Sequence, residues 1–92
     1  MEFFFDEAKN EKLFQLRGVT FQMAIEAIEE KGVLLNFSHP NQEKYPNQKV
    51  LVININDYAY CVPYEIEADR LILKTIYPSR KFKHLIRGKK NE

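Results

Sequence analysis

Few of the residues that advertise chemistry are present in this chain. It has one cysteine, two histidines and three glycines among 92 residues. Cys61 alone cannot close an internal disulfide, and its place in the strand-like run Tyr58-Ala59-Tyr60-Cys61-Val62 reads as a small buried hydrophobe in a reducing cytoplasm. Two histidines without a second cysteine supply no credible metal site. There is no Gly-rich phosphate loop, no Gly-x-Ser-x-Gly and no His-Glu-x-x-His, which excludes nucleotide hydrolases, serine hydrolases and zinc proteases. The carboxylates are scattered, and no pair of them suggests glycosidase chemistry. No apolar run approaches the roughly 20 residues of a membrane span. Phe3-Phe4-Phe5 follows Glu2 and precedes Asp6-Glu7, the wrong charge pattern for a signal peptide. The expectation is a cytoplasmic protein with no metal, no cofactor and no membrane partner.

What is present is an ordinary globular composition, 45% apolar and 29% charged, with no internal repeat, low-complexity segment or linker. Ninety-two residues suffice for one hydrophobic core and not for two, so residues 1–92 are read as a single domain. The net charge of +1 conceals a strong asymmetry. Residues 1–69 hold six Lys+Arg against twelve Asp+Glu, while residues 70–92 hold eight against one. A basic end of this kind favours an anionic partner, and nucleic acid is the commonest one.

Local signals divide the chain into helices and strands. Residues 2–5 read as a short strand, and Asp6 stands where a helix N-cap accepts from free amides. The first helix then runs to about Arg17, with Gly18 as its left-handed stop. Thr20 caps a second helix in which Phe21, Ala24, Ile25 and Ile28 recur at helical spacing, and Gly32 ends it. Val33–Phe37 reads as a strand, 39–48 as a polar loop held by Pro40 and Pro46. Lys49–Ile55 and Tyr58–Val62 form a hairpin about Asn56-Asp57. Glu65–Asp69 reads as a second turn, Leu71–Tyr77 as a strand ended by Pro78, and the segment from Ser79 as a short helix with Phe82, Leu85 and Ile86 on one side. This order predicts an α+β fold: an N-terminal strand and two helices packed on one face of a mostly antiparallel sheet of about four strands, then a short C-terminal helix.

Two stretches resemble a known family. Phe5-Asp6-Glu7-Ala8-Lys9-Asn10, followed by Arg17-Gly18-Val19-Thr20-Phe21, looks like the opening of BrnT-type toxins. Ile76-Tyr77-Pro78-Ser79-Arg80-Lys81 resembles the family's later segment, in which a strand closes before Arg-Lys and a terminal helix. The resemblance implies a RelE-like fold and a toxin of a bacterial type II toxin–antitoxin pair that cleaves RNA and assembles with a cognate antitoxin encoded nearby. It carries the family's basic positions onto Arg80 and Lys81. Thr75 stands where a strand arginine of the family aligns, and the strand cation here is Lys74, one place away.

The chemistry of RNA cleavage agrees with such a basic end. A ribose 2′-hydroxyl can attack its own phosphodiester, so a protein need only align groups, offset phosphoryl charge and move protons. Arg80 and Lys81 are candidates to grip the phosphate, with Lys74 beside them, and His84 is the candidate proton carrier. In a terminal helix Arg80 and His84 share a face. Tyr77, Tyr64 and Tyr45 are candidates to stack on bases, and Lys83 and Arg87 to contact substrate. Plainer roles stand beside these: a Lys/Arg-rich end as a solvated helix face, His84 as a surface histidine, His39 as a loop residue. The readings kept open are a metal-independent endoribonuclease, a non-catalytic nucleic-acid-binding module, and a protein-interaction domain with an acidic partner.

Overall fold

A computed structural model describes residues 2–90, and the side chains of residues 2–86. The elements, in order, are β1 (Glu2–Phe4), α1 (Glu7–Arg17), α2 (Phe21–Lys31), β2 (Leu35–Ser38), β3 (Gln48–Ile55), β4 (Tyr58–Glu67), β5 (Arg70–Leu73), β6 (Tyr77–Pro78), a 3-10 turn (Arg80–Phe82) and α3 (Lys83–Lys90). The expected α+β architecture is present, with three helices and a six-stranded mixed sheet among the described residues.

Both N-terminal helices start and stop on local chemistry. Asp6 Oδ1 accepts from the amides of Ala8 and Lys9 at 2.8 and 3.2 Å, and Thr20 Oγ1 accepts from Met23 at 3.1 Å. These side chains satisfy amides that a helix leaves without internal partners. Gly18, at φ 71°, ends α1 and donates to the Phe14 carbonyl. Asn10 joins the two helices. Only 8% exposed, it accepts from the Phe21 amide at 2.7 Å through Oδ1 and donates from Nδ2 to Gln22 Oε1 at 2.8 Å. Asn10 therefore builds the fold.

In the sheet the strands lie in the order β1-β5-β4-β3-β2, with β6 also paired to β4. β1 runs parallel to β5 and every other pair is antiparallel. The β3–β4 hairpin turns on Asn56 and Asp57, both at positive φ (54° and 64°), the backbone that a two-residue turn matched to strand twist requires. Alternation along the strands sends Leu51, Ile53, Ile55, Val62 and Tyr64 toward α1 and α2, where they pack with Leu13, Phe21, Ala24 and Ala27. Val50, Val52, Ala59 and Cys61 point to the other face and pack with Ile86, Leu85 and Phe82 of the C-terminal segment.

Four sequence expectations are corrected here. The two N-terminal helices share one face as expected, but the terminal helix does not join them: α3 covers the side opposite α2, because its apolar side chains meet the other alternation set. The sheet has six strands where about four were expected, since β1 adds in parallel and the 71–77 run is two short strands. The predicted turn over Glu65–Asp69 shrinks to Ala68 and Asp69. Glu65, Ile66 and Glu67 continue β4, and their charge marks a wet sheet edge where Glu67 lies opposite Arg70. Finally, β4 does not stop at Val62 but runs on through Pro63 to Glu67, whereas Pro78, opposite Tyr60, is the last residue of β6.

Candidate functional site

A cleft of about 590 Å³ opens where β5 leaves the sheet and β6 has not yet begun. Its origin is a proline. The Lys74 amide donates to the Pro63 carbonyl at 2.9 Å, which shows that Pro63 presents its backbone to the β5–β6 side of β4. Pro63 has no N–H to continue the ladder on that side, and pairing resumes only at Cys61 with Tyr77. Residues 74–76 thus cross the gap without strand alternation, and Lys74 and Thr75 both line the cleft.

α1 forms one wall. Lys9, Lys12, Leu13 and Leu16 recur at i, i+3, i+4 and i+7, and together with Arg17 they face the cleft. Glu7 and Glu11 fall on the opposite side of the helix, so α1 is divided by charge as well as by burial. Arg17 is tied to the gap, with Nη1 donating to the Ile76 carbonyl at 3.1 Å. Leu16, 76% exposed, stands among these cations.

The 39–48 loop forms the other wall and is held by its own hydrogen bonds. The His39 amide donates to Gln48 O at 3.0 Å, the Gln48 amide to Tyr45 O at 3.2 Å, and the Tyr45 amide to Asn41 O at 2.9 Å. His39 Nδ1 accepts from the Asn41 amide at 3.0 Å, and the His39 ring packs on Tyr45 with centroids 4.5 Å apart. His39, Tyr45 and Gln48 all line the cleft. Lys74, Arg17, Lys12 and Lys9 thus converge on a space with no acid among its described lining residues. Glu65 approaches Lys74 at 4.0 Å from outside that lining. Tyr77 completes the floor. Burial first, and then the neighbouring Cys61, push its hydroxyl above the usual phenol range, so it keeps its proton at neutral pH.

Of the residues singled out from sequence, Lys74, Tyr77 and Tyr45 meet in this cleft. Arg80, Lys81, Lys83 and His84 do not line it. They are exposed on the C-terminal segment, with Lys81 Nζ 5.6 Å from the centre of the Phe82 ring. Arg80 belongs to the 3-10 turn ahead of α3, so the α-helical spacing expected to place it over His84 begins only at Lys83. Tyr64 is corrected outright: it is 3% exposed, packs in the core under α1 and α2, and donates its hydroxyl to Asn36 Oδ1 at 3.0 Å. Alternation places it there, on the helix-covered face. The Arg87 side chain lies outside the described residues. Sequence reasoning missed Lys9, Lys12 and Arg17, and read His39 as a plain loop residue. The signal for the first three was available in the helical period of α1, which counting charge along the chain averages away.

Comparison with protein-family models, curated proteins and solved structures gives no match for this chain. Among the described residues no helix is long and apolar enough to cross a membrane.

Proposed function

We propose that this chain is an RNA-cleaving enzyme, the toxin of a BrnT-type toxin–antitoxin pair with a RelE-like arrangement of its elements, held silent by a cognate antitoxin. The motif resemblance and the order of elements support the family. One observation carries the chemistry: four cations from two distant parts of the chain, Lys9, Lys12 and Arg17 with Lys74, converge on a cleft that no acid among the described residues lines. Such a space is suited to a polyanion, and its aromatic and histidine wall to unstacked bases.

In this reading the substrate supplies its own nucleophile. The ribose 2′-oxygen gives its proton to solvent water and forms a bond to phosphorus as the bond to the leaving 5′-oxygen breaks. That leaving oxygen takes up a proton from water, and Arg17 and Lys74 offset the charge gathering on the phosphoryl oxygens. Tyr77, still a phenol at neutral pH, is a hydrogen-bond donor and not a base. Arg80, Lys81 and His84 take no part in the bond-breaking step.

A second reading, RNA binding without cutting, draws on a specific observation. His39 Nδ1 is engaged by the Asn41 amide, which withdraws a proton-accepting nitrogen from the cleft. Incubating purified protein with RNA separates the two. The parent should cut without added metal, Arg17→Ala should lose most of that activity while remaining folded, and Arg80→Ala should stay close to the parent. Arg17→Ala cutting at the parent rate would remove the cleft from the mechanism, and binding without cutting by the parent would leave the second reading standing. Expression of the chain without a partner should halt bacterial growth if it is a toxin.

A further inference from the structure

We infer that the 39–48 loop reads a nucleobase, with His39 donating a hydrogen bond through Nε2 and with Asn41 and Tyr45 acting as positioning residues. The inference rests on the polyanion reading of the cleft and names what one wall of that cleft recognises.

The argument begins with the ring. A neutral imidazole carries one proton, and the nitrogen without it accepts. Nδ1 accepts from the Asn41 amide at 3.0 Å, so the proton of the neutral ring sits on Nε2. A proton on Nδ1 instead would face the hydrogen of that amide. The neutral ring therefore offers the cleft a donor and no lone pair. It can bond an acceptor on a base edge, such as a carbonyl oxygen or a ring nitrogen, but cannot take the proton of a ribose hydroxyl at Nε2.

The loop holds this donor still. Tyr45 packs against the ring at 4.5 Å between centroids, and the Lys44 ammonium lies 5.4 Å from the centre of the Tyr45 ring. Lys44 N donates to Asn41 Oδ1 at 3.1 Å, the Gln42 side chain donates to the His39 carbonyl, and the His39 amide closes the loop onto Gln48. A donor fixed before binding loses little freedom when it meets its acceptor, and this gives discrimination between bases. The cations opposite, on α1 and at Lys74, contact phosphates and are indifferent to sequence.

Two measurements test this. The first is a long-range ¹H–¹⁵N correlation spectrum of the free protein, taken under conditions where the ring is neutral. Nδ1 should resonate as the unprotonated nitrogen, and the opposite tautomer would overturn the inference at once. The second is binding of uncleavable 2′-O-methyl oligomers, runs of uridine whose central base is A, C, G or U. The parent should favour one central base by about fivefold, the scale of one hydrogen bond between neutral groups. His39→Asn keeps an oxygen able to take the Asn41 amide in a side-chain turn, so the loop survives while the distant donor is lost. This variant should compress the preference to under about twofold with little change in mean affinity. Equal binding of all four oligomers by the parent, or an unchanged preference in His39→Asn, would refute base reading while leaving the polyanion site intact. Failure of the parent to bind any oligomer would refute the polyanion site itself.

Discussion

Salt dependence of RNA binding offers the most direct test of the cleft, because its magnitude follows from counting the cations that face it. Lys9, Lys12, Arg17 and Lys74 line the space, and none of the other described lining residues is acidic. For a single strand, each neutralised phosphate adds about −0.7 to the slope of log affinity against log salt. Four contacts predict a slope near −2.8, or a loss of about 50-fold between 50 and 200 mM salt. Lys74 is the contact most open to discount, since Glu65 stands 4.0 Å away and both side chains are about one-third exposed, at 33% and 38%. Without its contribution the slope falls to about −2.1. Lys12→Gln removes one cation from the exposed side of α1 without touching the core, and should lower the slope by about 0.7. Lys83→Gln removes an equal charge from α3, outside the cleft, and should leave the slope unchanged. Fluorescence anisotropy on an uncleavable single strand reads all three proteins over the same salt range. A parent slope shallower than −1, or a Lys83→Gln effect as large as that of Lys12→Gln, would show that phosphates bind elsewhere.

Other perturbations bear on the scaffold. Asn10→Ala strands the buried Phe21 amide, at a cost of about 2 kcal/mol, and for a domain of this size should lower Tm by about 10 °C in a calorimetric scan. A shift under about 2 °C would mean that the link between α1 and α2 is not needed. Asp6→Ala removes the N-cap of α1 at about 1 kcal/mol, and since α1 forms a cleft wall it should also weaken RNA binding, which thermal melting and anisotropy read separately. At alkaline pH, burial holds the Cys61 thiol above its ordinary value of 9.0, an effect partly offset by Ser79, Tyr77 and Lys81. The unfolded thiol releases its proton near that value while the native one keeps it, so the unfolded chain binds fewer protons and stability falls as pH rises above 9.0. Cys61→Ala should show a smaller fall between neutral and alkaline melts, and an equal fall would assign the loss to other groups.

Several structural features were readable from short stretches of sequence. Asp6, Thr20, Gly18 and the Asn56-Asp57 turn each act on partners within four residues, so local chemistry was enough to place them. The extent of β4 was misread for a related reason. The expected strand stopped at Val62, before Pro63, yet a missing N–H costs a strand only on the side where a neighbour needs it, and the neighbours of β4 are set by chain far away in sequence.

The sequence by itself determined the ends of α1 and α2, the hairpin turn, the α+β composition and a basic C-terminal segment. Tertiary structure alone decided which cations meet. Arg17 and Ile76 are 59 residues apart and joined by a hydrogen bond, and that bond sits where the break beside Pro63 opens the sheet. Charge counted along the chain pointed to residues 70–92 and the motif resemblance to Arg80 and Lys81, whereas the helical turn of α1 and the interrupted ladder brought Lys9, Lys12, Arg17 and Lys74 around one space. A charge count records how many cations a segment holds. Their convergence depends on backbone geometry and on packing between elements remote in sequence, which no local window contains.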